Sequence, residues 1–510
     1  MTQEELLALI DQAAAEGWTE LDLSGQGLTE LPGAIIQLTH LKKLDLSHNQ
    51  ISEVPAAIAH LTTLTELNLS GNQITQISEA ITQLINLTAL DLGFNQISEI
   101  PVAIAQLTNL TDLSLHSNQI ARIPEVIAQC NNLTDLYLYG NRITEIPTAI
   151  AHLTRLTMLY LSDNRIIEIP AAITYLTNLT GLYLSLNQIT QIPAAIAKLT
   201  NLTELSLWGN RISEIPTAIA ELTNLEELNL SKNQLSEIPM AIVHITSLQT
   251  LNFQDNKIKT LPNWLEALPK LETLDLRGNP LPISPEILDS PDSVEDIFNY
   301  CHQLRSGKVR PLNEAKLLLV GQGSVGKTSL IKRLIDNQFD RHQPQTDGLN
   351  VRTWNVHVNS KDVRLNVWDF GGQEIYHATH QFFLTKRSLY LLVCNCRTSE
   401  DENRIEYWLK LIESFGGESP VIIIGNKNDE QPLDINRKAL REKYPNIKAI
   451  LETSCQTSDG IDDLRAAIVR EVGLLSDVYN LLPLSWFEVK EQLEAMDRDF
   501  ISYSEYIGIC

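Results

Sequence analysis

The stretch Lys316-Leu317-Leu318-Leu319-Val320-Gly321-Gln322-Gly323-Ser324-Val325-Gly326-Lys327-Thr328 decides how the C-terminal half of this chain folds. Residues Gly321 to Thr328 fit the phosphate-loop pattern G-x-x-x-x-G-K-[ST]. The apolar run Lys316 to Val320 leads in as a buried strand, and Ser329 to Ile335 leads out with helical periodicity. A strand feeding a glycine-rich turn and then a helix N-terminus aims a row of backbone N–H groups at an anion, which makes Gly321, Gly323, Ser324, Val325, Gly326, Lys327, Thr328 and Ser329 the expected phosphate-binding residues. Glycine suits the curl because side chains there would collide with the phosphates. Lys327 is expected to reach the β- and γ-phosphates, and the Thr328 hydroxyl to sit on Mg²⁺.

Downstream, strands and helices alternate, which predicts a mostly parallel sheet with helices on both faces. Val363–Trp368 is an apolar strand ending in Asp369-Phe370-Gly371-Gly372-Gln373. An acid at that strand tip would hold Mg²⁺ through water, and the Gly372 N–H could approach a γ-phosphate. Val421–Gly425 is the next buried strand, ending in Asn426-Lys427-Asn428-Asp429. The Asp429 carboxylate can accept two hydrogen bonds from guanine N1–H and its exocyclic amine. Adenine would leave it unpaired, a difference that can be worth several kcal/mol. Asn426 would hold the loops together, and the Lys427 stem could lie along the base. These motifs stand in the order of the Ras-like GTPases, and the resemblance implies GTP and GDP as ligands with Mg²⁺. It also implies that Gln373 orients the attacking water, that Thr346 joins Mg²⁺ and the γ-phosphate, and that Ser454 and Cys455 meet the base edge. Thr346 also fits a plain T-x-G turn. The catalytic set is then Lys327, Thr346 and Gln373, with Thr328, Thr346 and Asp369 on the metal. Residues about 339–350 and 370–385 would be switch segments. Arg341, Arg352 and Arg387 lie near them, and spacing favours none as a hydrolytic arginine.

Ahead of this half, asparagine recurs at 49, 72, 95, 118, 141, 164, 187, 210, 233, 256 and 279, always 23 residues apart. Each stands in L-x-x-L-x-L-x-x-N-x-I/L followed by I/L-P-x-x-I-x-x-L, with Gln26 in the same register. The pattern resembles the leucine-rich repeat family over residues 18–285, about twelve units. In Leu64 to Ser70, Leu67 and Leu69 point inward while Glu66, Asn68 and Ser70 point outward. Stacked strands make one parallel sheet of about 4.8 Å per strand, a horseshoe solenoid roughly 50 Å long. Glu4–Glu16 reads as an amphipathic cap. The outward columns place Tyr137, Tyr139, Tyr160, Tyr183 and Trp208 together on the concave face, flanked by Asp91, Asp112, Asp135, Glu204 and Glu227. Aromatics inside a charged rim read as a protein-partner surface; strand propensity is the alternative.

The formal net charge of −24 is unequally shared. Residues 1–300 hold 13 Lys+Arg against 34 Asp+Glu, and residues 301–510 hold 26 against 29. An acidic first half argues against nucleic acid and is compatible with basic protein partners. No apolar run approaches the ~20 residues of a membrane-spanning helix. The acidic, polar N-terminus and dispersed cysteines lead to the expectation of a cytoplasmic protein with reduced thiols.

The run Asp369 to Leu384 resembles the Roc domain of bacterial Roco proteins, and the preceding repeats strengthen the likeness. The expected order is a capping helix (1–17), repeats (18–285), a capping helix and basic linker (286–313), Roc (314–475) and the truncated start of a COR domain (476–510). The resemblance implies slow GTP hydrolysis and, with a complete COR, a homodimer. The kinase set of glycine-rich loop, H-R-D and D-F-G is absent; Asp369-Phe370-Gly371 mimics its last triplet by accident of context. The functional expectation is a Mg²⁺-dependent GTPase switch; the alternative is an interaction scaffold whose G domain holds nucleotide without turnover.

Overall fold

The computed structural model describes residues 2–344, 348–370, 384–385, 387–496, 498 and 500–509. The chain divides into two units, Met1–His302 and Gln303–Cys510. In the first, twelve three-residue strands, β1 (Glu20–Asp22) to β12 (Thr273–Asp275), pair in parallel and in sequence order. Partners stand one period apart, as in Leu136↔Leu159. The inward leucine and isoleucine columns are buried throughout, each side chain contributing about 1.5–3 kcal/mol. Cys130 fills a leucine position; burial raises its thiol pKa to about 11 and leaves it a small apolar residue.

A coil wound around apolar columns must still pair its backbone, and three side-chain ladders do this. Asn141 is representative of the first. Its Nδ2 donates to the Leu115 carbonyl of the preceding repeat at 2.9 Å and to Leu138 at 3.1 Å, while its Oδ1 accepts from Ile120 N at 3.0 Å. In the second, the hydroxyls of Thr88, Thr111, Thr134, Thr157, Thr180 and Thr203 each donate to the carbonyl of the threonine one repeat earlier. In the third, Asn86, Asn109 and Asn132 reach back to Thr62, Ile85 and Thr108 carbonyls. The Asn-Leu-Thr tripeptides therefore carry structural hydrogen bonds.

On the convex side each proline caps a 3₁₀ turn in extended conformation, as Pro147 does at φ −67°, ψ 154° before Thr148–His152. It precedes the turn; it is not the turn's first residue. Where Ser78 replaces proline, the turn becomes the α-helix Glu79–Thr82, and the Ser78 hydroxyl is buried without a partner. The position before each of the eleven ladder asparagines, and before Gln26 in the first unit, is left-handed. Glycine occupies it at 25, 71, 140, 209 and 278, yet His48, Phe94, Ser117, Asp163, Leu186, Lys232 and Asp255 adopt φ of 49–54°. The first repeat is covered by the helix Gln3–Glu16, with Leu6, Ile10 and Ala13 buried and a Thr2–Glu5 capping box.

The second unit holds a six-stranded sheet in the order β15 (Leu349–Val358), β16 (Lys361–Phe370), β14 (Glu314–Val320), β17 (Ser388–Asn395), β18 (Val421–Asn426), β19 (Ile447–Thr453). Only the β15–β16 pair is antiparallel. Both faces are buried. Leu317 and Leu319 pack with Leu330 and Leu334 of helix Lys327–Asp336 and with Leu464 and Ile468 of helix Ile461–Leu474. Leu318 packs on the opposite face with Trp408, Leu409 and Ile412 of helix Ile405–Gly416. The basic linker is not irregular throughout: β13 (Val309–Pro311) pairs antiparallel with β20 (Leu481–Pro483). Beyond β20, helix Leu484–Ala495 sets Phe487 under the Arg310 guanidinium at 3.8 Å. Among the described residues, no helix is long and apolar enough to cross a membrane.

Asn141→Ala would leave the Leu115 and Leu138 carbonyls and the Ile120 N–H short of partners in a buried setting, costing about 2–4 kcal/mol. Urea unfolding of the chain measures this, and a loss below about 1 kcal/mol would mean that water substitutes for the amide.

Candidate functional site

The register of the second sheet builds the site. Leu319 of β14 stands opposite Asp369 of β16, so the loop that follows β14 opens beside that carboxylate. The Thr328 hydroxyl, one residue into its helix, donates to Asp369 Oδ2 at 2.6 Å. Asp369 is buried. A hydroxyl and a carboxylate meeting at a helix N-terminus form a hard oxygen donor pair of the kind Mg²⁺ takes.

Lys327 is also buried. Its Nζ donates to the carbonyls of Gly321 at 2.8 Å and Gln322 at 2.9 Å. Desolvation is the larger influence on its pKa, with Asp369 opposing, and brings the pKa down to about 8. Gly326 is left-handed at φ 97°, and a Cβ there would lie 2.4 Å from Asn426 Nδ2. That amide ties the two loops together by donating to the Val325 carbonyl at 3.0 Å.

A cleft of about 530 Å³ collects Ser324, Gly326, Lys327, Thr328, Ser329, Asn426, Lys427, Asp429 and Cys455. Gly321, Val325, Asp369 and Ser454 are buried behind it, and Gly323 lies half-buried in the loop's turn. The Lys427 amine crosses to the Ser324 carbonyl at 2.9 Å, with its pKa lowered by burial and by Arg397. Ser454 faces inward, its Oγ accepting from Thr457 N at 3.2 Å. Cys455 Sγ lies 3.4 Å from Asn426 Oδ1, and burial raises its pKa to about 11. Thr346, Gly372 and Gln373 lie outside the described residues.

Three residues enter the site without having been singled out. Arg333, in the last turn of the loop's helix, donates twice to the Cys455 carbonyl, at 2.9 and 2.7 Å. It also stands 5.9 Å from the centre of the Phe339 ring. Phe339 and Arg397 line the cleft, and Arg397 is ion-paired with Glu430. An aromatic two residues beyond the left-handed helix cap Asn337 was the available cue. Of the three arginines near the switches, Arg341 lines the cleft, whereas Arg352 makes a two-pronged pair with Asp336 at 2.9 and 3.0 Å.

In the first unit, Tyr137, Tyr160 and Tyr183 stack face to face, centroids 4.6 and 4.5 Å apart and planes within 8°. Tyr139 stacks on His116 at 4.5 Å, and Phe94 meets His116 edge-on. Trp208 lies 5.6 Å beneath the Lys232 ammonium. The five concave-face aromatics therefore form two stacks and a separate cation–π pair.

Residues 316–429 match the Roc family, described as "Ras of Complex, Roc, domain of DAPkinase". Leucine-rich-repeat families match residues 18–74 and 223–281, 132–228, and 62–104 and 108–152. The chain is 35% identical over 228 residues to the probable serine/threonine-protein kinase pats1 of Dictyostelium discoideum, which is 38% of this chain and 7% of that protein. It is 32% identical over 237 residues to the Roc-COR-CHAT protease of Runella zeae, 41% of this chain and 26% of that protein. The chain thus spans under a third of the length of either curated relative. The solved structure of Methanosarcina barkeri Roco2 RocCORdC bound to GDP is 50% identical, covering 40% of this chain and 62% of that one with a TM-score of 0.38.

Gly326→Ala puts a Cβ against Asn426 in a left-handed conformation. The strain and the lost loop-to-loop hydrogen bond are each worth about 1–2 kcal/mol. Guanine-nucleotide affinity should fall by about thirtyfold to nearly a thousandfold while the melting of the repeats is unchanged. Unaltered affinity in a fluorescent-nucleotide titration would remove this loop from the site.

Proposed function

This chain belongs to the Roco family, and from that premise we propose that it is a Mg²⁺-dependent GTPase switch. It binds GTP and GDP, hydrolyses GTP slowly to GDP and phosphate, and recruits a protein partner through the concave face of its repeats. Residues 18–285 act as the recruiting array, 314–475 as the Roc domain and 476–510 as the first part of COR. The carrying observation is the Thr328–Asp369 contact at 2.6 Å beside a cleft that Asp429 also lines.

Bound Mg²⁺ supplies charge neutralisation on the β- and γ-phosphates, and Thr328 and Asp369 are the residues that would hold it. The chain supplies the rest. Loop N–H groups from Gly323 to Gly326 orient the phosphates. Lys327, buried at the loop's centre with its amine on two carbonyls, exchanges those weak acceptors for phosphate oxygens. Asp429 reads the guanine edge. Asn426, Cys455 and Arg333 keep the base loops in register with the phosphate loop. The roles of Thr346 on the γ-phosphate and Gln373 on the attacking water follow from the family pattern.

Titration with fluorescent GTP and ATP analogues in Mg²⁺, followed by phosphate release, tests this reading. Selective GTP binding with slow release is expected; equal affinity for ATP would sink it. Asp429→Asn should lower GTP affinity by about a hundredfold, given ~3 kcal/mol for mismatched buried hydrogen bonds. The same variant should gain xanthosine triphosphate, and a persisting guanine preference would place base reading elsewhere.

A further inference from the structure

The concave face combines a rigid aromatic strip with carboxylates whose hydrogen-bonding partners are neutral. Tyr137, Tyr160 and Tyr183 stand like cards in a deck, so an incoming molecule meets their edges and hydroxyls. Tyr183 donates its hydroxyl to Glu204, and burial with that carboxylate raises the phenol pKa, which keeps the hydroxyl protonated. The deck can lean because the first residue of β8 (Gly181–Tyr183) is glycine: a Cβ there would come within 2.5 Å of Met158 Sδ and 2.9 Å of Tyr183 Cε2.

Along the column of first strand residues the order is Asp112, Asp135, Met158, Gly181, Glu204, Glu227. Asp112 and Asp135 accept from the hydroxyls of Thr111 and Thr134, and Glu204 from that of Tyr183. Asp91, one strand back and one column over, accepts from the Gly93 N–H. Two acidic pairs therefore flank an uncharged gap over Met158 and Gly181. Asp135 and Glu204 are three strands apart, about 14 Å, which an extended peptide covers in about four residues.

We propose that this face binds an extended polypeptide segment carrying two basic clusters about four residues apart, with small or apolar residues between them. Lysine or arginine stems would lie along the tyrosine edges and their charged heads would reach Asp112–Asp135 and Glu204–Glu227. The stacked rings are already fixed, so little side-chain entropy is lost on docking. This rests on the proposed partner-recruiting role of the repeats and adds the partner's chemistry.

The test uses the full chain and three fluorescently labelled peptides of one length: the basic pattern, the same with glutamine at the basic positions, and the same with glutamate. Anisotropy at low and high salt should show binding by the basic peptide alone, weakened by salt. Asp135→Asn with Glu204→Gln, near-isosteric changes on the surface, should weaken it by about tenfold or more, as should Tyr160→Ala. Equal binding of basic and neutral peptides, or indifference to the carboxylate variant, overturns the basic preference. Neutral-peptide binding lost in Tyr160→Ala would keep the face as a docking site while removing its charge specificity. A neutral oligosaccharide that binds where the basic peptide does not would also overturn the proposal. Nucleotide titration of the same variants reports the second unit separately.

Discussion

Pairing backbone groups that a solenoid buries is the constraint on which the first unit depends. A coil with a 23-residue period turns part of its main chain toward the core, away from water, and each turn's carbonyls face the next turn's amides only in part. Asparagine solves this because a single planar amide both donates and accepts. Asn141 bridges two carbonyls and one N–H across two repeats. Because each such amide belongs to two turns at once, repeat stability is largely an interface property, as expected of a one-dimensional array. The leucine columns supply attraction without direction; the asparagine and threonine ladders set the spacing at which strands, and therefore concave side chains, repeat. The tyrosine deck at 4.5–4.6 Å is the strand spacing made visible in side chains.

In the second unit an analogous role falls to strand register. Six β14–β16 partners place Asp369 next to the phosphate loop, and six β17–β18 partners bring Asn395 and Asn426 level at the neighbouring strand ends. The chemistry then needs only short loops at the carboxyl ends of parallel strands, where ligands of open α/β sheets collect. Arg465 braces the far end of the loop's helix by donating to the Arg333 and Leu334 carbonyls at its C-terminus, where a cation is favoured.

What was legible in the sequence was local or periodic. The repeat array announced itself by its period, and Gly321–Thr328 and Asn426–Asp429 are contiguous motifs whose flanking strands could be read beside them. Arg333 could not be found this way because its partner, the Cys455 carbonyl, lies 122 residues on. Phe339 follows a helix cap with no motif around it. The left-handed column was hidden because the same hydrogen bond to the next turn holds Phe94 and Leu186 in that conformation as it holds Gly71, against the steric cost a Cβ adds. Strand β13 carries a proline and spans three residues, too short for any periodicity to show. The convex turns follow 3₁₀ geometry because proline sits just outside them with its φ fixed and ψ extended.

The β13–β20 ribbon gives the nucleotide-binding unit a mechanical property. Val309 pairs with Pro483 and Pro311 with Leu481, so the strand entering the sheet domain and the strand leaving it lie side by side at the same end of the ribbon. Tension applied between those two ends loads the ribbon's hydrogen bonds one after another, starting from Leu484 N and Lys308 O. Peeling of this kind needs far less force than shearing the central strands, whose bonds would have to fail together. Helix Leu484–Ala495 reinforces that end, because its Lys490 pairs with Glu314 of β14 and its Glu494 with Arg364 of β16, so a pull on the exiting chain must strip these ion pairs before the ribbon can peel.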